Sequence, residues 1–310
     1  MKYLIIGAGG TGGPIGGFLT RAGLDVTLIA RGAHLTAMKE RGLAFHTPEG
    51  DFTVPVRACT EAEYTGTPDV VFVCVKGYSL QETLPFLRRI CGPDTVVIPV
   101  LNLYGTGGAL QAQLPETTVT DGCIYIMAEI EGPGTIRMNG TIFRVVFGLR
   151  RGTAEETVRR VRPVLEGVRQ DLESAGIKGI LSDRIETDAF EKFSFVSPMA
   201  AIGTYYGVSA AAMQREGAER TAYQGLVEEL IALGQAMGTP LPADIMQRNL
   251  AILDGVDPAS RASMQRDVES GHASEADGLI AEVTRLGRRY HVPTPGYDRI
   301  AAVLCPEKIR

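Results

Sequence analysis

"KYLIIGAGGTGGPIGGFLTRAGLDVTLIARG", residues 2 to 32, is the stretch whose reading decides the fold. Tyr3 to Ile6 are a short apolar run suited to a buried parallel strand. The run ends directly in Gly7-Ala8-Gly9-Gly10-Thr11-Gly12, a match to G-x-G-x-x-G. Each glycine of the pattern has its own physical role. Gly7 permits the tight turn, Gly9 lets backbone approach a pyrophosphate, and Gly12 lets the following helix pack closely on the strand. The pyrophosphate would rest on the helix N-terminus, where free N–H groups and the helix dipole favour an anion. A helix ending near Gly23 and a second strand, "DVTLIA" (25 to 30), complete a strand-turn-helix-strand unit. A glycine-rich loop without a ligand has no need of that context, so the unit predicts a dinucleotide-binding, Rossmann-type domain.

The end of the second strand bears on which dinucleotide. An NAD site usually places Asp or Glu there to hold the ribose hydroxyls, whereas this chain has Ala30 and then Arg31. A cation beside the ribose 2'-oxygen suits a phosphate. NADPH/NADP is therefore the expected cofactor, with Arg31 as its charge partner; the alternative is that Arg31 simply faces water. Further on, "DVVFVCVKGYS" (69 to 79) runs into Lys76 and "TVVIPVLNLYG" (95 to 105) into Asn102. Both polar residues fall at the carboxyl end of a predicted parallel strand, the edge where open α/β sheets bind ligands. Taken singly, a strand-end lysine is ordinarily solvated and asparagine is a common turn former. The stretches "TTVTDGCIYIMAEI" and "GTIRMNGTIFRVVFG" are expected to form the far half of the same sheet, closed by a helix from about Thr153 to Ala175.

At 310 residues the chain has room for two domains, and 45% hydrophobic with 22% charged residues is a globular composition. The net charge of -5 argues against a nucleic-acid surface. The most basic stretch, "RRVRPVLEGVR" (159 to 169), alternates with apolar residues as a solvated helix face does. Cysteines 59, 74, 91, 123 and 305 form no C-x-x-C pair, and an odd count suits a reducing cytoplasm. No apolar run approaches the ~18 residues of a membrane span. The N-terminal "MKYLIIGAGG" breaks into glycine too early for a signal-peptide core. Histidines 34, 46, 272 and 291 are scattered, so no metal is expected.

After about Leu181 the strand signals stop. "TAYQGLVEELIALGQAMG" (221 to 238) carries Leu226, Val227, Leu230 and Leu233 on one stripe, and "ADGLIAEVTRLGRRYHV" (276 to 292) carries Leu279, Ile280, Val283 and Leu286. Pro240, Pro242, Pro293 and Pro295 follow the helix ends. The expected organisation is an α/β Rossmann-like NADP-binding domain over 1–181 and an all-α substrate and catalytic domain over 182–310. The apolar stripes would serve a homodimer interface or core packing equally well.

With these pieces in view, the chain resembles the ketopantoate reductase family, the NADPH-dependent 2-dehydropantoate 2-reductases of pantothenate biosynthesis, over nearly its whole length. The matching pieces are "GAGGTGG", "DVTLIARG", "VCVKGYSL", "LNLYG", "FEKFSF" and "SMQRDVESGHASEADGLIAEV". The last is the most discriminating: Ser263, Met264, Asp267, Ser274, Glu275 and Asp277 stand in the family's SM-x-x-D and T/S-E-hydrophobic-D pattern. The resemblance implies that Gly7 to Gly12 hold the pyrophosphate and Arg31 the 2'-phosphate, and that Lys76 and Asn102 line the nicotinamide side. It implies that Lys192 is the proton donor to the carbonyl of a 2-oxo acid, that Ser263 hydrogen-bonds the substrate, and that Glu275 contacts the cofactor ribose or the lysine. The residue types suit the chemistry, because hydride addition to a ketone builds negative charge on oxygen that an ammonium group stabilises and protonates. The competing reading of Lys192 is a surface pair with Asp188, four residues earlier.

The match fails just after the lysine. The family typically has asparagine four and eight residues on, where this chain has Val196 and Ala200, with Pro198 between them. On a regular helix those positions share the lysine's face, so two donors for a polar substrate are missing. The expectation is a less polar 2-oxo acid or ketone than ketopantoate, or one anchored from elsewhere, for example by Asn249, Ser260 or Ser263. Pro198 within a helix would also re-aim the residues beyond it. Three other readings compete: a beta-hydroxy acid dehydrogenase, a His/Asp acid of the lactate dehydrogenase kind using His272 or His291, and a non-catalytic NADPH sensor. The SM-x-x-D element argues against the first, the lack of a motif around either histidine against the second, and Lys192 with Glu275 against the third.

Overall fold

A computed structural model describes residues 1–308 of the chain. Two compact units are present: one takes Met1–Leu101 and Gly105–Glu186, the other Asn102–Tyr104 and the chain from Thr187 onward. In the first unit the strands are, in chain order, β1 (Lys2–Ile6), β2 (Asp25–Ile29), β3 (Leu43–His46), β4 (Phe52–Val54), β5 (Arg57–Cys59), β6 (Val70–Val73), β7 (Val96–Pro99), β8 (Thr118–Val119), β9 (Asp121–Tyr125), β10 (Ala128–Gly132), β11 (Thr135–Met138), β12 (Arg144–Gly148) and β13 (Lys178–Leu181).

Six of these form a parallel sheet in the order β5-β2-β1-β6-β7-β8. Its central strands β6 and β7 are buried at every position, which explains why they read as unbroken apolar runs instead of alternating ones. Helix α1 (Gly12–Arg21) joins β1 to β2, and α2 (Gly32–Arg41) follows β2. The sheet and its helices make the Rossmann-type architecture that the opening stretch predicts.

The expectation that residues 117 to 148 complete this sheet is wrong except for β8. β9 and β12 pair antiparallel and, with β13, make a separate three-stranded sheet, while β10 and β11 join β3 and β4 in a four-stranded one. Connection length is the reason. A parallel neighbour needs a crossover of about a dozen residues or more. Only Pro133 and Gly134 separate β10 from β11, and Gly134, with φ +75°, closes a hairpin there. The helix Glu155–Ser174 is long enough to be a crossover, and it yields the parallel β12–β13 pair. It buries Val161, Leu165, Val168 and Leu172 on one stripe.

The second unit is helical. Its main helices are Ile185–Tyr206, which begins two residues before the unit does, Ala218–Ala236, Ile245–Gly255, Glu282–Tyr290 and Pro295–Leu304. Both apolar stripes, Leu226 to Leu233 and Leu279 to Leu286, are buried in a single core, so packing within the chain accounts for them. No described helix is long and apolar enough to cross a membrane.

Pro198 lies inside the helix Ile185–Tyr206 without ending it. A proline there cannot donate to the carbonyl four residues back, that of Ser194. Asn249 takes over: its Nδ2 donates to the Ser194 carbonyl at 3.1 Å and to the Ser194 hydroxyl oxygen at 3.0 Å, while that hydroxyl donates to the Glu191 carbonyl at 2.7 Å. Asn249 is 2% exposed. Its amide donor is therefore committed to the helix, which corrects the expectation that it anchors substrate. Replacing Asn249 by alanine should cost about 1–3 kcal/mol, the range for stranding a buried polar group. In a Pro198→Ala background the new N–H reaches Ser194 and the cost should fall by about 1 kcal/mol. Thermal or denaturant unfolding of the four proteins measures this, and an equal loss in both backgrounds would refute the compensation.

Candidate active site

In the first unit the loop Gly7–Gly12 leaves the carboxyl end of β1 and opens α1. Gly7 has φ +94°, a left-handed conformation that a side chain would strain. A Cβ on Gly12 would stand 2.8 Å from both Cys74 Cβ and Ile5 Cγ2, so the helix packs on the sheet at a distance that only glycine allows. Gly10 is pressed against the Ala128 backbone of β10. Gly9 differs: only Ile130 Cδ1, 4.0 Å away, approaches the position of its absent Cβ. The loop thus leaves its backbone approachable at Gly9, at the start of a ten-residue helix that no side chain caps. These features fit a dinucleotide pyrophosphate.

Arg31 follows β2 as the extended, exposed residue before α2, and Lys76 follows β6 as the half-buried residue before a short turn of 3-10 helix, Gly77–Ser79. Since β2, β1 and β6 are adjacent, the glycine loop, Arg31 and Lys76 stand at the carboxyl ends of neighbouring strands.

In the second unit Lys192 is half-buried on the helix Ile185–Tyr206, and its Nζ donates to Asn102 Oδ1 at 2.6 Å. Asn102 is ninety residues away in sequence but is fixed within the same unit by its two successors. Leu103 lies against Gly278, where a Cβ would meet Leu103 Cδ1 and Cδ2 at 2.7 Å. The Tyr104 ring packs on Phe190, centroids 4.8 Å apart, and on Phe193 at 6.2 Å, with its hydroxyl 3.5 Å from Thr239 Oγ1.

Gly278 belongs to a π-helical turn, Asp277–Ala281, a form that recurs at functional sites. Glu275, 5% exposed, comes just before it, and its carbonyl accepts the Leu279 N–H at 2.9 Å. Ser263 is half-buried as the first residue of the helix Ser263–Glu269, whose Met264 is fully buried in the core. Asp277 accepts from Arg285 at 2.8 Å. Val196 is half-buried and Ala200 is 1% exposed. His272 is exposed, and His291, with φ 56°, ends the helix Glu282–Tyr290 as its left-handed cap. Sequence reasoning missed Leu103, Tyr104 and Gly278 as the supports of Asn102. A glycine inside a helical apolar stripe was the available signal.

Residues 3–152 match the family described as Ketopantoate reductase PanE/ApbA, and residues 184–306 match its C-terminal part. An oxidoreductase of Bacillus subtilis, YkpB, is 28% identical over 304 residues, 98% of each chain. A 2-dehydropantoate 2-reductase of Mesorhizobium japonicum is 28% identical over 325 residues, 98% of this chain and 97% of its own. The crystal structure of a PanE/ApbA family ketopantoate reductase from Ralstonia eutropha JMP134 superposes with a TM-score of 0.88 at 25% identity, over 99% of this chain and 98% of that one. With both halves matched and the parallel sheet, glycine loop and helical unit in place, the chain belongs to the ketopantoate reductase family of nicotinamide-dependent oxidoreductases that act on CH–OH groups.

Proposed function

We propose that the protein is an NADPH-dependent reductase of a 2-oxo acid to the 2-hydroxy acid, with Lys192 as the proton donor. The observation that carries this reading is the 2.6 Å bond from Lys192 Nζ to Asn102 Oδ1, which aims a half-buried ammonium group by means of a neutral acceptor. In this reading residues 1–181 act as the cofactor domain and residues 182–310 as the substrate and catalytic domain. Gly7, Ala8, Gly9, Gly10, Thr11 and Gly12 hold the pyrophosphate, Arg31 the 2'-phosphate, and Lys76 and Asn102 the nicotinamide side. Bound NADPH supplies the hydride that the substrate's carbonyl carbon accepts. Lys192 hydrogen-bonds the carbonyl oxygen, stabilises the charge that builds on it, transfers one proton to it, and is reprotonated from solvent. Asn102 holds the lysine in line, Ser263 binds the substrate's polar end, and Glu275 contacts the lysine or the cofactor ribose.

Ketopantoate, the substrate named for the Mesorhizobium relative, is the default. Val196 and Ala200 favour a less polar 2-oxo acid. With the Asn249 amide committed to Ser194, Ser260 and Ser263 are the anchors for the substrate's polar end.

Steady-state NADPH oxidation with ketopantoate and a panel of aliphatic and aromatic 2-oxo acids tests the reading. At least one acid should be turned over, and Lys192→Ala should lower kcat by about 10²- to 10⁴-fold, the usual contribution of a positioned acid, with NADPH affinity kept. Arg31→Ala should weaken NADPH and leave NADH binding unchanged. Binding of NADPH without turnover of any acid would favour a sensor, and ketopantoate far ahead of every other acid would refute the less polar substrate.

A further inference from the structure

We infer that His34 is a positioning residue for the dinucleotide loop: it holds the Ala8 carbonyl so that the next peptide N–H, that of Gly9, is aimed at the cofactor pyrophosphate. The inference rests on the cofactor reading above. His34 is in the first turn of α2, and its Nε2 lies 2.9 Å from the Ala8 carbonyl oxygen. On the other side of the ring the N–H of Gly134 donates to Nδ1 at 3.0 Å. A ring nitrogen that accepts from an N–H carries no proton, so the single proton of the neutral imidazole is on Nε2 and is donated to Ala8.

Burial lowers the His34 pKa below its usual value, against the pull of the Ala8 and Gly132 carbonyls, which favour the cation. The charged groups of the elements around the ring are Arg31, just before α2, Lys39, Glu40 and Arg41 of α2, and Glu129 and Glu131 of β10; Lys39 is paired with Glu63. Arg41 donates to the Pro133 carbonyl at 3.5 Å, and Glu131 is paired with His46 and Arg137. Burial is the cause of the lowering, and the two carbonyls offset part of it.

The planarity of the peptide bond turns this contact into a constraint on the loop. In a trans peptide the C=O and the following N–H point in opposite directions. With the Ala8 carbonyl held by His34, the Gly9 N–H points away from the ring, and Gly9 is the one glycine of the motif whose Cβ position is open apart from Ile130. Glycines on either side of Ala8 would otherwise let this peptide plane rotate. The second bond, through Gly134, ties the same ring to the β10–β11 turn, where Gly134 also lies against Ala37, one turn further along α2.

NADPH titrations followed by fluorescence on the full chain, together with melting temperatures and amide hydrogen exchange of residues 7–13 without cofactor, test the inference. His34→Ala and His34→Asn should raise the NADPH Kd by about tenfold, the equivalent of one lost hydrogen bond, and speed exchange in the loop, with kcat at saturating NADPH unchanged. His34→Gln keeps a donor that reaches Ala8 and should restore Kd to within about threefold. If the alanine variant does not fold, the asparagine and glutamine pair decides the matter. A lower melting temperature with an unchanged Kd in the asparagine variant would overturn the inference and leave His34 a packing residue. A wild-type chain that binds neither NADPH nor NADH would overturn the cofactor reading itself, and this inference with it.

Discussion

A lysine on a helix lined by Phe190 and Phe193 must either reach solvent or find an acceptor, since a desolvated ammonium without one is costly. Asn102 supplies one such acceptor, and its two successors in the chain hold it in place. Leu103 fits against Gly278 only because that position lacks a Cβ, and Tyr104 packs at a tilt against the two phenylalanines. Three residues that follow a sheet strand in the chain are thereby packed with the helices. The acceptor is a neutral amide, so this bond orients the lysine without neutralising its charge.

The first unit is organised by the opposite kind of constraint, the exclusion of side chains. Gly12 brings α1 against β1 and β6, Gly10 accepts the backbone of β10, and Gly9 alone is left open. The glycine loop therefore sets two packing distances within the protein, at Gly10 and Gly12, and leaves its backbone approachable at Gly9. His34 adds a polar restraint to the steric ones, because the glycines fix where the loop can lie while the imidazole fixes which way one of its peptides faces.

Much of this was legible in the sequence because the signals were local. Buried parallel strands read as apolar runs, the glycine spacing followed the first of them directly, and the helical stripes at 226–233 and 279–286 had the right period. The misreadings came where the deciding partner was distant or the segment short. The β10–β11 hairpin looked like more of the parallel sheet because its apolar residues are of the same type; only its two-residue connection betrayed it. Asn249 looked like a ligand for substrate, and nothing in its own neighbourhood revealed that Pro198, 51 positions earlier, had left the Ser194 carbonyl in need of a donor. The bond from Lys192 to Asn102 spans 90 residues, a pairing that no local spacing announces.

The central claim, that Asn102 acts through Lys192, is tested most directly by a double-mutant cycle on kcat with the best 2-oxo acid, using Asn102→Ala, Lys192→Ala and the pair. Two residues that work as one unit give strongly non-additive losses. The account predicts that removing Asn102 lowers kcat in the wild-type background and has almost no further effect once Lys192 is gone. Losses that multiply in the double variant would contradict it, by showing that Asn102 serves the reaction without the lysine.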